Sequence, residues 1–209
     1  LRAELATPML IEHLSVNMGS SIGVAVAPDD GLDADTLLRR ADVAMYSAKQ
    51  RGKGRHSVFE PVMHDKAVER LRLQTDLRGA IENDEITLAF QPIMTLADGL
   101  PSGFEALARW THPELGAVSA ATFVPLAEET GMIVALGSRL LRVACEHATR
   151  WNAMPGLTAP MSIAVNLSGR QLEEADIVQH VRDALEVTGL APGCLTLEIT
   201  ETALVHNSV

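Results

Sequence analysis

Strand-like and helix-like segments alternate through most of residues 86–200, and this alternation constrains the fold more than any other feature of the sequence. Short β-rich runs bounded by turn residues predict strands at Ile86–Ile93, Gly103–Trp110, Met161–Asn166 and Leu195–Thr200. Longer stretches with apolar residues at helical spacing predict helices at Ala120–Glu129, Val134–Trp151 and Ala175–Thr188. Strands joined through helices pair in parallel, so we expect an α/β fold built on a parallel sheet.

The first 60 residues predict a smaller unit. A β-like run, Ser20–Ala27, stops at a turn rich in Pro, Asp and Gly. Asp35 is expected to cap a helix that ends near Gly52, and His56–Phe59 is predicted to form a short strand. Pro61 marks the expected domain boundary.

An amphipathic helix is then predicted at residues 65–81. Its recurring positions are Ala67, Leu71, Gln74, Leu77 and Ile81.

The distribution of charge excludes some classes of partner. The chain has 209 residues and a net charge of −10, most of it in residues 62–209. An acidic surface disfavours the phosphate backbone of DNA or RNA, so we expect neither as a partner.

The two cysteines, Cys145 and Cys194, form no CxxC pair, which favours a reducing, cytoplasmic location. No apolar run reaches the ~20 residues of a membrane span; a membrane anchor upstream of this stretch is compatible with the sequence.

Polar residues interrupt three of the predicted strands near their carboxyl ends. Glu105 and Arg109 are four residues apart, and so lie on one face of an extended strand. Asn166 and Glu198 occupy similar places in the next two strands. In α/β folds the functional site is built at the carboxyl ends of the strands, and an oxygen-rich set there suits Mg²⁺ or Mn²⁺. Taken singly, each could instead be a strand-end charge, a helix cap or half of an ion pair with Arg109.

Five ordered runs in the second part of the chain resemble the EAL domain of cyclic di-GMP phosphodiesterases. They are FQPI, FEALARWTHPELG, FVPLAEETGMI, VNLSGRQL and LEITET. The resemblance implies part of a modified TIM-like (β/α) barrel that hydrolyses cyclic di-GMP to linear pGpG. Residues 1–60 resemble the closing part of an α+β GGDEF domain, through SIGVAVAPDDG and LLRRADVAMYSAKQRGKGR.

The EAL resemblance also implies a ligand set. Glu105, Asn166 and Glu198 match the family's metal ligands, which implies two Mg²⁺ or Mn²⁺ ions with Glu105 in the catalytic centre. The chain would encode only part of this site, because the family's paired aspartates and catalytic lysine would follow Val209. We therefore expect the stretch alone to be inactive and the activity to belong to the intact parent protein.

Further roles follow from the same resemblance. Arg109 matches the arginine that meets a substrate phosphate, and Gln91 matches a substrate-contacting glutamine. Glu201 matches a second glutamate of the catalytic centre, which steadies an active-site loop. Phe90 stands where the family usually has tyrosine, a mild departure.

The two resemblances divide the chain into residues 1–61, the C-terminal portion of a GGDEF-like domain, and residues 62–209, the N-terminal portion of an EAL domain. Three functions stay open: a phosphodiesterase, a catalytically inactive cyclic di-GMP receptor, and a bifunctional diguanylate cyclase and phosphodiesterase. The expected partners are cyclic di-GMP, GTP at the GGDEF-like part, and a second copy of the chain through the EAL domain.

Overall fold

The computed structural model describes residues 9–11, 13–16, 19–52, 54–157 and 159–199. The chain divides into two compact units, residues 1–72 and 73–209. The division falls inside one long helix, and the predicted boundary between residues 61 and 62 stays a prediction. No helix in the described ranges is long and apolar enough to cross a membrane.

The described residues of the first unit form two pairs of short strands, one helix that follows the third strand, and the start of a second helix. Strands β1 (Met9–Ile11) and β2 (Leu14–Val16) pair antiparallel. Strands β3 (Ile22–Val24) and β4 (His56–Val58) pair in parallel, and helix α1 (Ala34–Gln50) lies in the connection between them.

Two details of the first unit follow from local chemistry. Asp33, not Asp35, caps α1, so that prediction is wrong. The Asp33 side chain accepts from the Thr36 amide at 2.8 Å, whereas Asp35 lies in the first turn, where the helix dipole favours acidic residues. Gly23 allows α1 to pack closely on β3, because a Cβ there would stand 1.8 Å from the carbonyl oxygen of Ala41.

Helix α2 extends over Pro61–Glu82, longer than predicted. Its second half packs into the second unit through Leu73, Leu77 and Ala80. The apolar face predicted for this helix is wrong in part, because Leu71, one of its predicted positions, is 65% exposed. Leu73 and Ala80 lie four residues before and three residues after Leu77, so the buried stripe has helical spacing but is rotated from the predicted one.

The second unit is a mixed sheet covered by helices. Its strands and helices follow in chain order: β5 (Ile86–Met94), β6 (Pro101–His112), β7 (Gly116–Val118), α3 (Ala120–Thr130), α4 (Ile133–Asn152), β8 (Ser162–Leu167), α5 (Gly169–Leu172), α6 (Ile177–Thr188) and β9 (Leu195–Ile199). A short 3₁₀ turn, Pro192–Cys194, precedes β9. All four strands predicted here are present, with ends shifted by at most two residues where they are described.

The α/β class is confirmed, but the expectation of a parallel sheet is wrong for its first strands. The sheet order is β5-β6-β8-β9, and β7 also pairs with β6. The pairs β6–β8 and β8–β9 are parallel, whereas β5–β6 and β6–β7 are antiparallel. The reason is the connection: residues 95–100 form a turn with no helix, which can join only antiparallel neighbours.

Two apolar clusters hold this unit together. One joins α2, α3 and the start of α4 to the sheet around Trp110 and Phe123, both fully buried. The other joins α4 and α6 to the helix-covered face of β6, β8 and β9, with Ala106, Ile163 and Val165 at its centre. These clusters leave the opposite face of the strands for polar side chains.

Candidate active site

Glu105 lies in the middle of β6, on the face opposite the helices. Its neighbour Ala106 is buried in the apolar cluster, and side chains alternate along a strand, so Glu105 points the other way. Gln91 of β5 lies directly opposite Glu105 in the antiparallel ladder, and Ala164 of β8 is its partner in the parallel ladder. Pairing on both edges therefore fixes the position of Glu105.

Asn166 lies two residues beyond Ala164 and so shares the face of Glu105. Asn166 Nδ2 donates a hydrogen bond to Glu105 Oε1 at 2.8 Å. Because a carboxylate can only accept hydrogen bonds, the amide nitrogen must face Glu105, and the Oδ1 oxygen of Asn166 is turned away from it. The asparagine thus keeps an oxygen lone pair for another group.

Glu198 is the third predicted metal ligand. In the parallel ladder of β8 and β9, Glu198 is the partner of Asn166. Side chains of directly paired residues on one face have Cβ atoms about 5 Å apart. The structure therefore brings the three predicted metal ligands to one face of three neighbouring strands.

The donor set fits a hard divalent cation. In the part of the chain that the structure describes, no three His, Cys, Asp or Glu side chains gather as a metal site. The third protein oxygen has to come from the amide of Asn166, beside the carboxylates of Glu105 and Glu198. Mg²⁺ commonly binds to one or two carboxylates and completes its shell with water and substrate oxygens, which suits this set.

Arg109 and Gln91 flank the carboxylates on the same face. The exposed guanidinium of Arg109 donates from Nη1 to the carbonyl of Ala108 at 3.0 Å, and its remaining N–H groups can meet an anion. The exposed amide of Gln91 lies across the ladder from Glu105. The face therefore offers oxygens for a cation beside a cationic group and an amide for a ligand.

Phe90 points to the helix side of β5. Its ring packs against Trp151 and His147 of α4, with ring centroids 4.8 Å apart in each case. Burial in this cluster lowers the pKa of His147. The phenylalanine that departs from the family's usual tyrosine thus lies in the apolar core, away from Glu105.

His112 has a structural role that the sequence did not reveal. The residue is the last of β6 and is buried. Its Nδ1 accepts from the amides of Glu114 and Leu115 at 3.1 Å each, so Nε2 carries the proton and donates to Asp76 at 3.1 Å. The imidazole ties α2 to the end of β6.

A cavity of about 400 Å³ lies beside the carboxyl ends of β6 and β8. Its lining from α3 and α4 is mostly apolar, and Arg109, Asn166 and Glu128 contribute polar atoms. Burial raises the pKa of Glu128, with a smaller contribution from Glu129. Glu128 is thus half-buried beside this cavity.

Glu201, expected at an active-site loop, falls outside the described residues, as does Thr200, the predicted end of the last strand. The role of Glu201 stays a prediction.

Comparison with known families agrees with this geometry. The profile of the EAL domain matches residues 74–208. The chain belongs to the EAL family. The profile of the GGDEF domain of diguanylate cyclases matches residues 1–55, so the predicted order of a GGDEF-like segment followed by an EAL domain is confirmed.

Two curated relatives illustrate the similarity. The chain is 39% identical over 204 residues to MucR of Pseudomonas aeruginosa, a bifunctional diguanylate cyclase and cyclic di-GMP phosphodiesterase, and 35% identical over 203 residues to the cyclic di-GMP phosphodiesterase PdeR of Escherichia coli. These alignments cover 98% and 97% of the chain but 30% of each relative. The chain thus spans less than a third of the length of these relatives.

Solved structures of EAL domains share the fold. The MucR phosphodiesterase in complex with cyclic di-GMP matches with 40% identity and a TM-score of 0.61, over 66% of this chain and 55% of that one. The EAL enzyme Bd1971, bound to cAMP and cyclic di-GMP, matches with 28% identity and the same TM-score, over 68% of this chain and 40% of that one. The prediction of part of a TIM-like barrel is confirmed.

Proposed function

We propose that the protein that contains this chain hydrolyses cyclic di-GMP to linear pGpG in a metal-dependent reaction. The observation that carries the proposal is the hydrogen-bonded pair Glu105 and Asn166, with Glu198 beside it, on a face that the fold leaves polar. Membership of the EAL family, the phosphodiesterase relatives and the MucR complex with cyclic di-GMP support it. The activity is proposed for the whole protein, because the chain spans only part of such relatives.

In this proposal Glu105, Asn166 and Glu198 hold Mg²⁺ or Mn²⁺ in a two-metal site, with Glu105 in the catalytic centre. When bound, such cations withdraw charge from a phosphate oxygen and make water a better nucleophile near neutral pH. Asn166 contributes its Oδ1 oxygen, since its Nδ2 is committed to Glu105. Glu201 is proposed to steady a neighbouring loop.

Arg109 and Gln91 bind and orient the substrate. The guanidinium of Arg109 pairs with nonbridging phosphate oxygens and stabilises the charge that builds on them in the transition state. Gln91 holds the dinucleotide through its amide. Water adds to phosphorus, the bond to the 3′ oxygen breaks, that oxygen takes up a proton, and the phosphate stays on the 5′ side as in pGpG.

The match of residues 1–55 to the GGDEF profile favours a second function, a bifunctional diguanylate cyclase and phosphodiesterase. The bifunctional relative MucR supports this alternative. This alternative function includes binding of GTP by the GGDEF-like part. A homodimer formed through the EAL domain and a cytoplasmic location stay predictions.

The test uses the full-length protein, cyclic di-GMP and either Mg²⁺ or Mn²⁺, with pGpG quantified by chromatography. Glu105→Ala should abolish turnover while the melting temperature stays within a few degrees of the unmodified protein. Glu186→Ala, at an exposed position on α6, is the matched control and should keep full activity. If the unmodified protein binds cyclic di-GMP but forms no pGpG, the proposed phosphodiesterase activity is contradicted, and a catalytically inactive receptor is favoured.

A further inference from the structure

The loop that follows Asn166 is closed by two reciprocal hydrogen bonds. The Ser168 hydroxyl accepts from the backbone amide of Gln171 at 3.2 Å, and Gln171 Oε1 accepts from the backbone amide of Ser168 at 3.1 Å. This arrangement is a capping box at the start of α5. Because α5 has only four residues, the box determines how the backbone leaves β8 just after Asn166.

Gln171 is unusual for a capping residue, because its side chain is buried. It is 4% exposed and is one of three buried polar residues in the described ranges, with Ser57 and His112. A buried amide is costly unless it is hydrogen-bonded. The bond from the Ser168 amide therefore holds Gln171 in one orientation, and Gln171 in turn holds the loop.

Gly137 of α4 provides the space for this side chain. A Cβ at Gly137 would stand 2.1 Å from Nε2 and 2.7 Å from Cδ of Gln171. Glycine weakens a helix interior relative to alanine, so a glycine in the second turn of α4 calls for a packing reason. The close approach of Gln171 supplies that reason.

We propose that Gln171, seated against Gly137, is a positioning residue for Asn166. It holds residues 166–168 so that the Asn166 amide keeps Nδ2 on Glu105, which would leave Oδ1 available to a cation. This inference rests on the proposed function, since it needs the metal site. Groups that orient metal ligands typically contribute about 10- to 100-fold to metal affinity, and we expect a loss of about tenfold without the capping bond.

The experiment measures the dissociation constant of Mn²⁺ by electron paramagnetic resonance in the full-length protein without substrate. Gln171→Met keeps the length of the side chain but removes the oxygen that accepts from Ser168, whereas Gln171→Glu keeps an acceptor. Gly137→Ala displaces the Gln171 amide without changing it. Its matched control is Gly79→Ala on α2, where a Cβ would meet only Asn83 Nδ2 at 3.9 Å.

We expect Gln171→Met and Gly137→Ala to weaken Mn²⁺ binding about tenfold, and Gln171→Glu and Gly79→Ala to leave it within about threefold of the original. Melting temperatures identify any variant that fails to fold. If Gln171→Met unfolds, Gly137→Ala still tests the positioning role, because alanine favours the helix more than glycine does. Equal Mn²⁺ affinity in folded Gly137→Ala and unmodified protein would overturn the positioning role alone. Mn²⁺ binding that is absent, or insensitive to Glu105→Ala, would overturn both this inference and the metal site of the proposed function.

Discussion

The side-chain amide of Asn166 donates a hydrogen bond to Glu105 across 2.8 Å, and so links side chains on two neighbouring strands. The backbone pairs Glu105 with Ala164, so this bond crosses diagonally to the next residue on the same face. Its direction is set by chemistry, because only the amide nitrogen can donate. The bond orients one proposed ligand by means of another before any cation is bound.

Replacing this donor by an acceptor should expose the dependence of the pair on a cation. In Asn166→Asp two carboxylates would face each other, and the lost hydrogen bond should lower the free energy of unfolding by about 0.5 to 1.5 kcal/mol at pH 7, because the bond is exposed to solvent. Saturating Mn²⁺ should restore part of the loss. Urea denaturation with and without Mn²⁺ measures both effects, and unchanged stability without metal would contradict this account of the pair.

Arg109 tests whether a fixed guanidinium is needed on this face. Arg109→Lys keeps the positive charge but loses the planar pair of donors, and we expect kcat/KM for cyclic di-GMP to fall about 100-fold. The melting temperature should not change, because the side chain is exposed. Steady-state kinetics of the full-length protein measure the effect, with the exposed Arg182→Lys on α6 as control.

His112 should matter for stability and not for binding of the substrate. In His112→Phe the amides of Glu114 and Leu115 lose their shared acceptor, and we expect the free energy of unfolding to fall by about 2 to 4 kcal/mol. Asp76→Asn should cost less, since an amide oxygen can still accept from Nε2. Chemical denaturation of both variants gives the comparison; an equal or larger loss in Asp76→Asn would contradict the assigned tautomer.

Glu128 should make stability depend on pH. Burial raises its pKa in the folded state, so the carboxyl stabilises the fold when protonated, and this contribution is lost as the pH rises through the folded-state pKa. Glu128→Gln should therefore increase the free energy of unfolding at pH 7, by less than about 1 kcal/mol because solvent screens the half-buried group. At a pH below the ordinary glutamate pKa the difference should vanish. A gain that persists there would show another cause.

Much of the architecture was predictable because it depends on local pattern. The positions of β5, β6, β8 and β9 follow from apolar runs, and the shared face of Glu105 and Asn166 follows from alternation along strands joined in parallel. The antiparallel pairing of β5 was also within reach of the sequence, since only six residues connect it to β6. A parallel arrangement of these two strands is wrong because six residues are too few for a crossover connection.

Other features depend on contacts between distant residues, and no local pattern reports them. The buried stripe of α2 is set by its packing against Trp110 and Phe123, so helical spacing alone left its rotation undetermined. The burial of Gln171 depends on a glycine 34 positions earlier in the chain. The hydrogen bond of His112 to Asp76 joins residues 36 apart. Such partners become visible only when the helices are placed on the sheet.

Strand β6 is paired with β5 along one edge and with β8 and β7 along the other. Its backbone amides should therefore exchange with solvent deuterium only when this unit opens as a whole. Glu105 would then sit on one of the two central strands of the described sheet, β6 and β8, whose amides exchange most slowly. Thermal fluctuations that loosen helix ends and turns would therefore not move the backbone that carries the Glu105 carboxylate. The conformational entropy of placing that backbone is lost during folding, before any ligand binds.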